Sequence, residues 1–388
     1  MKPGQHEFLP QDRVVWGRPA AEAVSDEAEK RNARRVFVVA SKTLNRQTDV
    51  IEGIRKALGG RFAGVFDEIR EHTPRDCVIE AVRAARAAEP DLLLSVGGGT
   101  PIDAVKVMLV CMAEGVDTVE GMGDLHMKVL ADGSRHIPKI GPPPCPHVAV
   151  PTTLSAAEFS NLGGCTDPAR KIKDGYTAPG INPMTVILDP AVTIHTPDWL
   201  WLSTGVRGVD HAVEGICAIE PSPMVDGCSL QALRLFNDAL PATKRNPSDM
   251  GARLACQQAA WLSGSGILRV QYGASHGIGH SLGAVTGMSH GHTSCVMLTP
   301  VLRYNLSHTE ARQKWIASAM GREDGDAARA VADLVRSLDQ PGSLRAMDVR
   351  REQFDDIIAG AMQNMWVRTN PRPINDPEQV REILELAW

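Results

Sequence analysis

A chain of 388 residues with 43% hydrophobic and 22% charged side chains is long enough for two cores and ordinary for a globular protein. Its formal net charge of -5 argues against the basic surface that binding to nucleic acid or an anionic membrane requires. No apolar run approaches the roughly 20 residues that span a bilayer. The opening MKPGQHEFLP lacks the order of a signal peptide, and the eight cysteines include no C-x-x-C pair, so reduced thiols and a cytoplasmic location are expected.

The first half alternates short apolar runs with helical periodicity. Residues 36–40 read as a strand, followed at once by Ser41 and Lys42. Residues 78–88 read as a helix, because Val78, Ala81, Val82 and Ala85 recur at i, i+3, i+4 and i+7. Residues 92–96 form a second strand that runs into Gly97-Gly98-Gly99, and 102–112 follow as a buried helix. Residues 133–146 read as a proline-rich loop. Short strands at 148–150 and 186–188 complete the pattern of a parallel sheet covered on both faces. After Asp189-Pro190 the character becomes helical, with helices expected at 206–219, 229–240, 252–262, 283–298 and 326–338. The expected division is an α/β domain over 1–190 and an all-helical domain over 191–388.

Gly97-Gly98-Gly99-Thr100, with Pro101 in the first helical turn and Asp103 beyond, is the sharpest motif of the first half. Glycines between a buried strand and a helix admit a ligand close to the backbone, and the helix N-terminus offers N–H groups to a pyrophosphate. The order is not G-x-G-x-x-G, and a turn needing glycine for packing alone is the bland alternative. Thr152, Thr153 and Ser155 cluster hydroxyls after a strand, suited to a cofactor or equally to helix capping. Ser41 stands where an acidic residue often meets the adenosine ribose, which leaves room for a 2′-phosphate, so NAD or NADP is expected.

In the helical half Arg207 and His211 stand at i and i+4, as do His276 and His280, with His290 close behind. The spacing points to one site, while leaving open whether the imidazoles hold a metal or pass protons.

Together these motifs, with Pro151-Thr152-Thr153, Leu188-Asp189-Pro190, Glu71-His72-Thr73-Pro74 and Asn370-Pro371-Arg372-Pro373, resemble the iron-containing alcohol dehydrogenases, and among them the maleylacetate reductases. The resemblance implies the dehydroquinate synthase-like arrangement of a dinucleotide-binding domain and a helical domain, with the active site between them and a homodimer as the assembly. It implies a cofactor-binding lysine, matched by Lys173, and a small carbonyl or alcohol substrate. It also implies iron or zinc on His211, His276 and His290 plus an Asp four residues before His211, with His280 lining the site. That Asp is Arg207 here. A guanidinium offers only donors and repels a divalent cation, so the sequence argues against the metal. Asp210 lies about 100° around the helix from His211 and is read as poorly placed to replace the lost ligand.

The expectation is therefore an NAD(P)-dependent reductase of a carboxylate-bearing carbonyl substrate. In it Arg207 holds the anion, His276 or His280 supplies the proton, and His211 and His290 line the site. An iron- or zinc-dependent alcohol dehydrogenase, a synthase-type lyase of the same fold and a catalytically inactive cofactor binder are the alternatives. An ion pair of Arg207 with Asp210 or Glu214 is the bland reading of that residue.

Overall fold

The computed structural model describes residues 4–129, 135–170 and 172–388. They divide into two units. One contains residues 9–153 and 157–195; the other contains the N-terminal segment up to residue 8, residues 154–156 and residues 196–388.

The α/β unit runs β1 (Arg13–Trp16), α1 (Ala20–Lys30), β2 (Val36–Ala40), α2 (Lys42–Gln47), α3 (Val50–Leu58), β3 (Phe62–Phe66), α4 (Arg75–Ala88), β4 (Leu92–Gly97) and α5 (Gly99–Ala113). It continues with β5 (Lys128–Val129), β6 (Arg135–His136), β7 (His147–Pro151), β8 (Leu162–Asp167), β9 (Ile172–Thr177) and β10 (Thr185–Leu188). Six strands form one parallel sheet in the order β1-β10-β7-β4-β2-β3. Alternate residues feed opposite faces, as strand geometry dictates. Val36, Val38, Leu92, Leu94 and Val96 pack with α1 and α3, while Phe37, Val39 and Leu93 pack with α4 and α5. Both faces are covered, which is why these strands read as continuous apolar runs.

Residues 133 and 134 of the expected loop lie outside the described residues. Arg135–His136, also placed in that loop, pairs antiparallel with Lys128–Val129 instead. The strands β1 and β3 escaped the sequence reading because one is a short edge strand with two exposed ends and the other carries Gly64. β8 and β9 form an antiparallel hairpin whose polar, glycine-bearing sequence hides it.

The helical unit contains α6 (Asp198–Cys217), α7 (Pro223–Arg245), α8 (Met250–Gly264), α9 (Ala274–Thr286), α10 (His290–Ala319), α11 (Ala327–Ser337), α12 (Phe354–Gln363), α13 (Met365–Arg368) and α14 (Pro377–Leu386). The single helix expected over 283–298 is two. Gly287 ends α9 with φ +75°, in the left-handed conformation that glycine adopts without a Cβ penalty, and Ser289 caps α10 by accepting the His292 N–H. α6 is the buried axis of the unit. Gly205 and Gly208 let Leu240 and Phe236 approach so closely that a Cβ would stand 2.4 and 2.5 Å from them. Among the described residues no helix is long and apolar enough to cross a membrane.

Candidate active site

On α6 the core stripe is Val206, Val209, Val213 and Ile216. Arg207, Asp210, His211 and Glu214, at i, i+3, i+4 and i+7, form a second stripe, and all four are buried. Buried charges demand partners, and most of theirs come from α9 and α10. Glu214 accepts the main-chain N–H of Gly273 (3.0 Å), Ser275 (2.9 Å) and His276 (3.2 Å). Asn370 accepts the Ala274 N–H at 3.0 Å and is itself paired with Asn305. These four donors are the ones a helix N-terminus leaves without intrahelical partners, so a carboxylate there is favoured by hydrogen bonding and by the helix dipole together. Asn370 thereby gains a physical role for the Asn-Pro-Arg-Pro motif.

The same Glu214 receives His276 Nδ1 at 2.8 Å, and Asp210 Oδ2 lies 3.5 Å from that nitrogen. With Nδ1–H given to a carboxylate, the exchangeable position of the ring is Nε2, which is buried and has no hydrogen-bond partner among the described residues. Asp210 Oδ2 also accepts the hydroxyls of Ser294 (2.6 Å) and Ser275 (3.0 Å). Ser294 in turn accepts Arg207 Nη1 at 3.1 Å, and that nitrogen stands 3.6 Å from Asp210. The ion pair considered for Arg207 therefore forms with Asp210, whereas Glu214 serves His276. Burial pulls the guanidinium below its ordinary value, against Asp210 and Glu214, yet an arginine so placed stays protonated. Burial first, then His276 and Arg207, hold His211 far below the ordinary histidine value, which keeps that ring neutral.

The four histidines form two pairs that Trp366 joins. His211 lies 5.0 Å from His276 between ring centroids, and His280 lies 5.5 Å from His290. Trp366 bridges the pairs at 5.5 Å from His276 and 4.8 Å from His280. Its approach depends on Gly277, where a Cβ would stand 2.6 Å from the Val367 side chain. Tyr272 stacks on His211 at 5.7 Å. Neither Trp366 nor Tyr272 was singled out from sequence, since nothing local marks an aromatic as part of a distant site.

Asp210 corrects the sequence reading. Its angular offset from His211 is real, but Arg207 and His276 both meet it. Among the described residues the only three His, Cys, Asp or Glu groups whose donor atoms lie within 4.8 Å of one another are Asp210, Glu214 and His276. The set of His211, His276 and His290 does not draw together in that way.

In the α/β unit Gly97 has φ +147°, and a Cβ there would meet Pro101 at 2.7 Å and Ser41 Oγ at 2.8 Å. At Gly98 a Cβ would stand 2.9 Å from Thr153, and Thr152 N–H bonds to Gly97 O at 2.9 Å. Gly99 and Thr100 begin α5. Lys173 lies across Gly164 in the hairpin and reaches to 3.8 Å from Asp103. Asp103 also stands 3.6 Å from Lys106, a fully buried lysine bonded to the Ala157 and Leu162 carbonyls. Ser155 groups with the helical unit. His72 and Thr73 carry φ +63° and +53°, and Thr166 holds both of their carbonyls. Non-glycine backbone in this conformation is strained and persists because its surroundings hold it there.

The family description "Iron-containing alcohol dehydrogenase" matches residues 10–190, and "Fe-containing alcohol dehydrogenase family, C-terminal" matches residues 201–388. The chain belongs to the iron-containing alcohol dehydrogenase family. It is 32% identical to Dehydrogenase FUM7 of Gibberella moniliformis over 96% of this chain and 95% of that one. It is 26% identical to Maleylacetate reductase 1 of Cupriavidus pinatubonensis over 93% and 91% of the two chains. The structure of maleylacetate reductase from Agrobacterium tumefaciens superimposes with a TM-score of 0.84 at 26% identity, covering 100% of this chain and 99% of that one. The chain is an oxidoreductase with the fold of this family.

Proposed function

We propose that this member of the family is an NAD(P)H-dependent reductase of a carbonyl group on a carboxylate-bearing substrate, working in the reverse direction on the alcohol, without a bound metal. The observation that carries the reading is Arg207 beside His276. Among the described residues Ser294 and Asp210 engage Nη1 of the guanidinium, and the rest of its donor fork is offered to an anionic substrate. His276, with Nδ1 held by Glu214 and Nε2 without a hydrogen-bond partner among the described residues, is set up to give a proton to the carbonyl oxygen at Nε2. Asp210 and Glu214 on the Nδ1 side stabilise the ring while it carries that proton. Neutral His211 adds a polar wall without a competing charge.

The glycine turn and the start of α5 suit a dinucleotide, because the helix N-terminus offers main-chain N–H groups to a pyrophosphate, while Gly97 and Gly98 let Ser41, Pro101 and Thr153 pack where a Cβ would collide with them. The reduced nicotinamide supplies hydride to the carbonyl carbon when bound. Asp103 lies in the first turns of α5, and Lys173 reaches to 3.8 Å from it.

The residues at Arg207 do not fit the ion in the family name. The oxygen donor four residues before His211 is replaced by a fixed cation, and Glu214 already accepts four donors. Asp210 Oδ2 is shared between two hydroxyls and Arg207. Asp210 Oδ1, His211 Nδ1 and His276 Nε2 are buried without a hydrogen-bond partner among the described residues, but a divalent ion drawn to them would stand next to the Arg207 guanidinium, whose Nη1 is 3.6 Å from Asp210 Oδ2.

A panel of keto acids and neutral aldehydes, each with NADH and NADPH and followed by absorbance of the reduced cofactor, tests the reading. Keto acids should be the better substrates. Faster turnover of the neutral aldehydes than of every keto acid would overturn the role of Arg207.

A further inference from the structure

The crossover from β2 leads outward to β3, and the crossover from β4 leads the other way to β7. The crevice between the ends of β2 and β4 is therefore the switch point of the sheet, where open α/β sheets take nucleotides. Its two walls are Ser41 and Gly97, in the close approach described above. In such folds the strand beside the glycine turn ends on the residue that reads the adenosine ribose. Here that strand ends at Ser41, without a carboxylate, and Lys42 follows.

The carboxylates come instead from the neighbouring strand. Asp67 and Glu68 follow β3, and the two behave differently. Asp67 is mostly buried and receives Arg46 through two bonds of 2.7 and 2.9 Å, with Asn45 at 2.9 Å. The Arg46 guanidinium holds its carboxyl below the usual range. That pair fixes Arg46, four residues after Lys42, on the same face of α2. Glu68 is 47% exposed, bonds Lys42 Nζ at 3.0 Å and also meets Arg46. A carboxylate between an ammonium and a guanidinium occupies the position that a phosphate dianion would take. Because all three groups face solvent, the pairing is weak and exchangeable.

We propose that Lys42 and Arg46 form a seat for the 2′-phosphate of NADPH, and that Glu68 occupies it when NADH is bound and leaves it for NADPH. The chain then uses both cofactors, and Glu68 sets the ratio between them. This inference rests on the dinucleotide seat proposed above.

Dissociation constants for NADH and NADPH, measured by fluorescence of the reduced nicotinamide on the full chain at fixed salt, test it. Glu68→Gln should tighten NADPH about tenfold and change NADH less than about twofold. Lys42→Ala should weaken NADPH about tenfold and leave NADH as it was. The NADPH advantage of Glu68→Gln should shrink as salt rises, since the groups are exposed. A ratio of the two constants that stays fixed in both variants, with NADH binding intact, overturns the phosphate seat alone. Failure of the unaltered protein to bind either nucleotide overturns the cofactor reading, and this inference with it.

Discussion

At the rim of the α/β sheet the candidate cofactor seat is built from main chain and small side chains: Gly97 at φ +147°, Gly98 under Thr153, and the first turn of α5. On α6 the candidate catalytic face is built from buried charged side chains, Arg207, Asp210 and Glu214, joined through Ser275, Ser294 and His276. The first depends on what is absent, since a Cβ at Gly97 or Gly98 would collide with Ser41, Pro101 or Thr153. The second depends on every partner being present, since a buried charge without one is costly. A backbone seat suits a ligand recognised by its phosphates, whereas a buried charge network suits a reaction in which one proton must move and one anion must be held.

The most severe break in this contrast should come from the proton donor. His276→Asn should lower kcat about a thousandfold on keto acid and aldehyde alike while leaving the NADH dissociation constant unchanged. Unaltered kcat would remove His276 from the reaction. Arg207→Ala should lower kcat/KM about a hundredfold on a keto acid and less than about fivefold on a neutral aldehyde. Because that variant also leaves Asp210 short of a partner, Arg207→Lys provides the control. It keeps the charge, loses the fork, and should fall between the two. Equal losses on both substrates would make Arg207 structural.

The α/β unit carries its own buried charge, and it should show in pH dependence. Burial raises the Glu158 carboxyl from 4.5 to about 7. A carboxyl raised on folding holds its proton better in the folded chain. Its stabilising contribution is therefore full below about pH 4.5 and is lost as pH rises through about 7. Relative to Glu158→Gln, the unaltered protein should lose about 2 kcal/mol of unfolding free energy between about pH 5 and about pH 8, read by denaturant titration. Parallel profiles would show that Glu158 titrates normally. The gentlest test is a single methyl: Gly97→Ala should weaken NADH about tenfold with little change in kcat at saturation, because it presses on Ser41 and Pro101 and forces a φ that alanine avoids. Unchanged NADH affinity would place the nucleotide elsewhere.

The α/β unit was the more legible of the two in sequence. Strands buried on both faces print continuous apolar runs, so 36–40, 92–96, 148–150 and 186–188 stood out, and a glycine turn between strand and helix points to its own use. The edge strand at Arg13–Trp16 and the hairpin of β8 and β9 printed no such signal. In the helical unit the i, i+4 pairs of histidines and Arg207 were readable. What served them was not, because Glu214 reaches His276 across 62 residues of chain and Ser294 reaches Arg207 across 87. The single helix read over 283–298 missed the break because Gly287 and Ser289 lie within an otherwise helical pattern. Extending the stripe on α6 from two residues to Arg207, Asp210, His211 and Glu214 would have exposed four buried polar groups on one face, and that signal was available.

The central claim is that Arg207 and His276 carry out carbonyl reduction that other arrangements assign to a metal. Its most direct test is the rate of NAD(P)H oxidation with the best keto acid after exhaustive chelation, with residual metal measured by mass spectrometry on the same sample. The account predicts an unchanged rate in protein holding far less than one metal ion per chain. Loss of activity on chelation, restored by iron or zinc, would contradict it.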